Sequence, residues 1–248
     1  MDKIFLFVLI GFAGQAIDGA LGMAYGVTCS TALIALGIAP AVASASVHTA
    51  EIFTTAASGF SHWRLGNVDM RLVARLAVPG MIGGALGAYF LTSFPGETLV
   101  PYVSAYLLIL GAVIVWRAFR SRPARHDIST PRAIGLGLTG GFLDAAGGGG
   151  WGPIVTSSLI GSGAAPRMAI GSVNLAEFFV AATITATFIA TIGLELWPII
   201  AGLIIGGVLA APLAAYAASR IPAKPLMVIV GCLVILISAR NIFKFIGG

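Results

Sequence analysis

Residues 11 to 56 of the chain read GFAGQAIDGALGMAYGVTCSTALIALGIAPAVASASVHTAEIFTTA, and residues 137 to 182 read GLTGGFLDAAGGGGWGPIVTSSLIGSGAAPRMAIGSVNLAEFFVAA. Set in register at an offset of 126, they share 18 identities in 46 positions. The matches include Asp18/Asp144, Gly22/Gly148, Gly26/Gly152, Pro40/Pro166, Ser46/Ser172, Ala50/Ala176, Glu51/Glu177 and Phe53/Phe179. Apolar bias alone matches Ala with Ala. It does not match Asp, Pro, Ser and Glu at one spacing, so the chain is an internal duplication. Beyond residue 56 the offset drifts, while the order of apolar segments continues. The expected division is a first transmembrane repeat at 1–120, a basic cytoplasmic linker at 121–130 and a second repeat at 131–248.

Composition sets the solvent of these repeats. Of 248 residues, 58% are hydrophobic and 9% are charged, against about 25% charged in an average soluble domain. Mean hydropathy is +1.00. So few charges cannot cover the surface of a soluble protein of this size, which excludes a water-soluble enzyme, a nucleic-acid-binding domain and a disordered chain. The apolar runs are continuous over about 20 residues rather than alternating, which points to membrane helices and away from a β-barrel. The net charge of +5 fits basic loops facing an anionic leaflet. Cys29 and Cys232 lie in apolar runs without metal or disulfide spacing. The N-terminus imitates a signal peptide, but its glycine-rich continuation recurs in the second repeat and so belongs to the fold.

Apolar segments fall at about 4–37, 41–61, 72–92 and 99–117, then 133–163, 167–191, 196–218 and 225–243. The leading segment of each repeat is too long for one span and is interrupted by glycines beside an aspartate. Two half-helices meeting at an unwound tip fit better than one rod. Such backbone is tolerated at membrane depth only where protein or a watery cavity surrounds it. The expected architecture is therefore an all-α polytopic membrane protein, each repeat having a broken or re-entrant leading pair plus three transmembrane helices. Loops 62–75 (Arg64, Arg71 and Arg75 against Asp69) and 117–132 are basic, whereas 93–98 carries only Glu97. In the second repeat the signs swap, with Glu195 in the first loop and Arg220 and Lys224 in the next. By the positive-inside rule this favours inverted repeats with both termini outside. Eight full spans in parallel repeats, with both termini inside, is the competing arrangement, and Lys3, Arg240 and Lys244 speak for it.

Four charged residues lie inside the apolar segments rather than at their ends: Asp18, Glu51, Asp144 and Glu177. Carboxylates at that depth are costly and commonly functional; the plainer reading is a neutral acid bonded to neighbouring backbone. Asp18 and Asp144 also suit N-capping of the second half-helix. His48 stands one turn before Glu51 on the same helix face, and its repeat partner is Asn174. The run Gly147-Gly148-Gly149-Gly150-Trp151-Gly152 matches neither a Walker loop nor a dinucleotide fingerprint. Glycines at a helix start leave N–H groups bare for a ligand, and two such starts would focus positive potential on a small anion. Close helix packing is the plainer account of these glycines. Trp151 and its partner Tyr25 suit a cavity wall. Ser46 and Ser172 either donate to an anion or bond back to their own helix.

The broken motifs DGALGMAYG and DAAGGGGWG, each followed by P-x5-S-V-x2-A-E, resemble the sulfite exporter TauE/SafE family of bacterial membrane permeases, over nearly the whole chain. The resemblance implies transport, commonly export, of a small sulfur-containing anion such as sulfite or an organosulfonate across the bacterial cytoplasmic membrane. Composition and spacing go only as far as a small solute. The resulting expectation is a secondary transporter and not an enzyme. The substrate would sit on the backbone of Gly22, Gly148, Gly149 and Gly150, with Tyr25, Trp151, Ser46, His48, Ser172 and Asn174 around it. Asp18, Glu51, Asp144 and Glu177 would couple protons. No cofactor is expected, since no nucleotide-binding motif is present. The expected partners are a small anion and the lipid bilayer, with no nucleic acid and with self-association left open. The alternative reads the same carboxylates as a Na⁺ or divalent-cation pathway. An intramembrane enzyme lacks motifs such as H-E-x-x-H or G-x-S-x-G.

Overall fold

The computed structural model describes residues 2–21, 23–120, 128–193, 197–218 and 223–247. The first repeat forms α1 (Asp2–Leu21), α2 (Tyr25–Ala35), α3 (Pro40–Arg64), α4 (Met70–Thr92) and α5 (Gly96–Ala118). The second forms α6 (Thr130–Gly147), a π-helical turn (Gly152–Thr156) running into α7 (Ser157–Gly161), then α8 (Pro166–Ile192), α9 (Trp197–Ala218) and α10 (Ala223–Gly247). Both leading segments are broken where the sequence places glycines beside an aspartate. Met70–Thr92, Gly96–Ala118, Met168–Ile192 and Met227–Ile246 are long and apolar enough to cross a bilayer, and the chain is an all-α, multi-pass membrane protein. Most of the linker (121–127), Glu195 and Arg220 lie outside the described residues.

Local chemistry explains the helix starts. Pro40 and Pro166 are the first residues of α3 and α8, where a missing N–H costs nothing. Asp69 caps α4 by accepting from the N–H of Arg71 at 2.9 Å and of Leu72 at 3.3 Å. Large apolar side chains such as Phe60, Leu86, Ile109 and Phe243 stand exposed on the outside. In water such a surface would aggregate; in lipid it is the solvated face. Trp63, Trp116 and Trp197 lie at helix ends, the level of the membrane interface.

The two repeats interlock rather than fold apart. Gly11 lies against Leu203, Gly202 against Phe7, and Gly206 against Val8 and Phe12, so α1 runs parallel to α9 in close contact. In the same way Gly137 lies against Leu76, Gly141 against Gly80, and Gly87 against Phe142, so α6 runs parallel to α4. Glycine at these crossings lets backbones approach where lipid offers no hydrophobic drive to associate. Corresponding helices of the two repeats meet head to tail. On α3 and α8, Asn174 Nδ2 donates to Ser58 Oγ at 2.7 Å, Gly59 rests on Leu175, and Gly171, earlier on α8, lies against His62 and Asn67 at the far end of α3. On α5 and α10, Gly111 lies against Gly231, and the Lys224 ammonium sits 4.5 Å from the Phe119 ring.

Candidate functional site

Both interrupted helices end at one pocket. Its walls include the four intramembrane acids Asp18, Glu51, Asp144 and Glu177, the start of α2 at Ala24 to Val27, and the start of the π-turn at Gly150 to Pro153. The space between its atoms is about 350 Å³ with the mouth included, and its clear centre admits little more than a water molecule. This conformation is thus closed tightly around the acids.

The aspartates organise the helix starts. The Tyr25 N–H donates to Asp18 Oδ1 at 3.3 Å, and the Trp151 N–H donates to Asp144 Oδ1 at 2.9 Å. In each repeat a carboxylate reaches forward by seven residues and takes the first amide of the returning half-helix, where the helix dipole favours negative charge. The amide ends are therefore not bare, as the glycine pattern suggested: each already holds a carboxylate. The next N–H groups, of Gly26 and Val27 on one side and Gly152 on the other, belong to first turns that lack intrahelical partners.

The unwound stretch of the second repeat survives at depth because other helices satisfy it. Ser44 Oγ donates to the Ala145 carbonyl at 2.8 Å, Tyr106 Oη to the Gly149 carbonyl at 3.0 Å, and Ser30 Oγ to the Gly148 carbonyl. Gly149, with φ +152, is wedged against the backbone of Gly26 and Val27, so the two breaks touch directly. The Trp151 indole is fully buried, fills the hollow left by Gly80 and Gly140, and donates from Nε1 to the Val173 carbonyl at 3.3 Å. Tyr25, its counterpart, is buried as well and points its hydroxyl at the Leu203 carbonyl at 3.4 Å.

His48 is fully buried behind the pocket wall. Its Nδ1 lies 2.8 Å from the Ser44 carbonyl and 3.2 Å from Ser44 Oγ. Its Nε2 lies 3.1 Å from Asp144 Oδ2 and 3.8 Å from Glu51 Oε2. Glu51 Oε2 has no hydrogen-bond partner although the residue is only 3% exposed. One ligand atom each from His48, Glu51 and Asp144 lie within 4.8 Å of one another, a grouping able to hold a metal ion.

Of the residues read from sequence, the structure brings Asp18, Tyr25, Glu51, Asp144, Gly150, Trp151 and Glu177 to the pocket. Gly148 and Gly149 shape the break without lining it, and Gly22 lies outside the described residues. Four side chains expected to face the solute do not line the pocket. His48 stands behind it. Ser46 Oγ donates back to the Val42 carbonyl at 2.8 Å, the hydroxyl's alternative within a helix. Ser172 Oγ accepts from the Asp69 N–H at 2.9 Å, bracing the turn before α4. Asn174 is spent on Ser58. Thr54 and Thr55 line the pocket unannounced, though their spacing of three and four from Glu51 puts them on its helix face. Ser30, Ser44 and Tyr106 were silent in sequence: the duplication pairs the first two with Thr156 and Ile170, and Tyr106 lies where the repeat no longer aligns.

The family model "Sulfite exporter TauE/SafE" matches residues 7–241. The probable membrane transporter protein YtnM of Bacillus subtilis (strain 168) is 46% identical over 252 residues, covering 98% of this chain and 84% of that protein. The probable membrane transporter proteins YdhB and YjnA of the same organism are 27% identical (75% of this chain, 70% of that protein) and 23% identical (92% and 95%). No solved structure matches the chain. A duplicated, all-helical membrane chain whose match spans nearly its full length belongs to the sulfite exporter TauE/SafE family of membrane transporters.

Proposed function

We propose that the chain is a secondary transporter that exports a small sulfur-containing anion, sulfite or an organosulfonate, through the pocket between the two broken helices. The observation that carries this reading is convergence: both half-helix starts and all four intramembrane carboxylates meet at one point. Broken helices whose N-terminal ends face a shared site near mid-membrane are a recurrent device for holding anionic groups. The family's description supplies the substrate class. The head-to-tail packing of α3 on α8 and of α5 on α10 supports inverted repeats. With the basic loops 62–75 and 117–132 in the cytoplasm, both termini then lie outside.

An ionised carboxylate beside an anion repels it, so the four acids must be neutralised while the solute is bound. That requirement turns the acids into a coupling device: solute and positive charge enter together or not at all. The narrow centre implies that the helices part to load and close to exchange sides. Sulfite flux into and out of proteoliposomes tests the reading. Wild type is expected to carry sulfite with flux that responds to an imposed pH gradient, and the double substitution E51Q/E177Q is expected to remove that response. Unchanged, gradient-sensitive flux in the double variant would remove the coupling role. Absence of flux for sulfite and for sulfonates in wild type would remove the substrate class.

A further inference from the structure

We propose that His48, Glu51 and Asp144 bind one divalent transition-metal cation in the wall of the pocket. The inference deepens the anion-transport reading and, for the cation's role as counter-charge, rests on it. His48 Nδ1 faces the Ser44 carbonyl at 2.8 Å, so it carries a hydrogen and donates. In the neutral ring this leaves a lone pair on Nε2, aimed at Asp144 Oδ2 only 3.1 Å away and at Glu51 Oε2 beyond it. An electron-rich nitrogen facing two carboxylates is repulsive unless a proton or a metal ion lies between them, and the unpartnered Glu51 Oε2 is what favours the metal ion. A histidine whose second nitrogen donates to a backbone carbonyl is the usual orientation of a metal ligand.

The carboxylates fit the same occupant. Asp144 Oδ1 is committed to the Trp151 amide, which leaves Oδ2 free for the ion. Glu51 Oε2 is buried, aimed at the cluster and without a partner, an expensive state for a carboxylate in a low-dielectric interior. Among the described residues no Lys or Arg pairs with either acid; His48 is their sole basic neighbour. A separation of 3.1 Å between Nε2 and Oδ2 suits two ligands at about a right angle on a metal with bonds of about 2.0–2.2 Å. One imidazole nitrogen with two carboxylates selects a Zn²⁺- or Mn²⁺-like ion over Ca²⁺ or Mg²⁺, which take oxygen ligands. Glu51 and Asp144 also line the pocket, so a coordination position opens toward it, where an oxygen of the anion can bind. The second repeat offers no copy of the site, because Asn174 replaces the histidine and bonds elsewhere. The stoichiometry is therefore one ion per chain.

The test uses the full chain in nanodiscs, stripped with chelator and titrated with Mn²⁺ while the free-ion paramagnetic resonance signal is followed. One Mn²⁺ per chain is expected, displaced by Zn²⁺ and not by Na⁺, with affinity lowered by about tenfold or more in E51Q and H48N and unchanged in E97Q. X-ray absorption on the Zn²⁺-loaded wild type provides a reading that needs no variant, and imidazole scattering is expected. No stoichiometric binding, affinity equal in wild type and both variants, or absorption without an imidazole ligand would each overturn the site, leaving His48 as a proton carrier alone. Sulfite flux measured in parallel separates the two claims. Binding without any anion flux defeats the transport reading and leaves the site standing, whereas flux intact in chelator without binding defeats the site.

Discussion

The break in the second repeat is stitched shut by three hydroxyls borrowed from the first repeat, Ser30, Ser44 and Tyr106. Among the described residues, the break in the first repeat receives no such bond to its backbone at Met23 and Ala24; the one hydroxyl that reaches it from the second repeat, Ser157 Oγ, meets the Met23 sulfur at 4.0 Å. Each break has an aspartate that takes an amide seven residues on, but the bond is 2.9 Å in the second repeat and 3.3 Å in the first. His48 also takes sides: it stands on a helix of the first repeat and faces the aspartate of the second at 3.1 Å. The wall of the second repeat is thus held by backbone bonds that the described part of the first-repeat wall lacks. Local stability follows the density of satisfied bonds, so equivalent substitutions on the two sides should not have equivalent effects.

The largest expected difference is at Gly149 and its repeat partner Met23. A side chain at Gly149 would demand φ +152 of an L-residue and would press on the backbone of Gly26 and Val27. G149A should lower stability by about 3 kcal/mol or more, read as a fall in the thermal unfolding midpoint in detergent. G135A, on the same segment with nothing near its Cβ position, should be neutral or slightly stabilising. Equal midpoints for the two variants would mean that the breaks do not touch.

Removing one stitch is gentler. Y106F leaves the ring in place and deprives the Gly149 carbonyl of its donor. The expected loss is about 1 kcal/mol, since buried polar bonds in membrane proteins are individually modest. Faster amide exchange should be confined to residues near the second break. The first break offers the opposite sign. Ala24 adopts φ 91, the one described non-glycine residue with positive φ. A24G relieves that strain but adds chain entropy to the unfolded state, for a net gain of about 1 kcal/mol or less. A destabilised A24G would show that the methyl group, and not the backbone, is what this break needs.

The two breaks differ in what their residues encode locally. Duplication offset, glycines beside aspartates and acids inside apolar runs are local features, and they placed both breaks and all four carboxylates at the pocket. What a side chain bonds to across the molecule is not local. Ser172 and Asn174 repeat Ser46 and His48 in sequence, yet packing against the end of α3 spends them on Asp69 and Ser58. Tyr106 became a stitch only because α5 lies beside the second break, a placement that no motif encodes. The interlocking of the repeats likewise emerges from glycine faces that meet only once the helices are assembled.

The serines give the finest test. Ser46 and Ser172 hold the same place in the repeated P-x5-S-V-x2-A-E pattern and are equally good candidates for holding an anion, but their bonds distinguish them. S46A removes a hydroxyl that returns to its own helix at Val42; alanine is the better helix former, so stability should change by less than about 0.5 kcal/mol. S172A removes the acceptor of the Asp69 amide at the turn before α4, and should cost about 1 kcal/mol as that N–H loses its partner. Neither should alter sulfite affinity, because neither side chain lines the pocket. A tenfold loss of affinity, about 1.4 kcal/mol, in S46A alone would place the solute on the first-repeat helix outside the pocket described. The same loss in both would restore the symmetric site that the duplication suggests and the bonds deny.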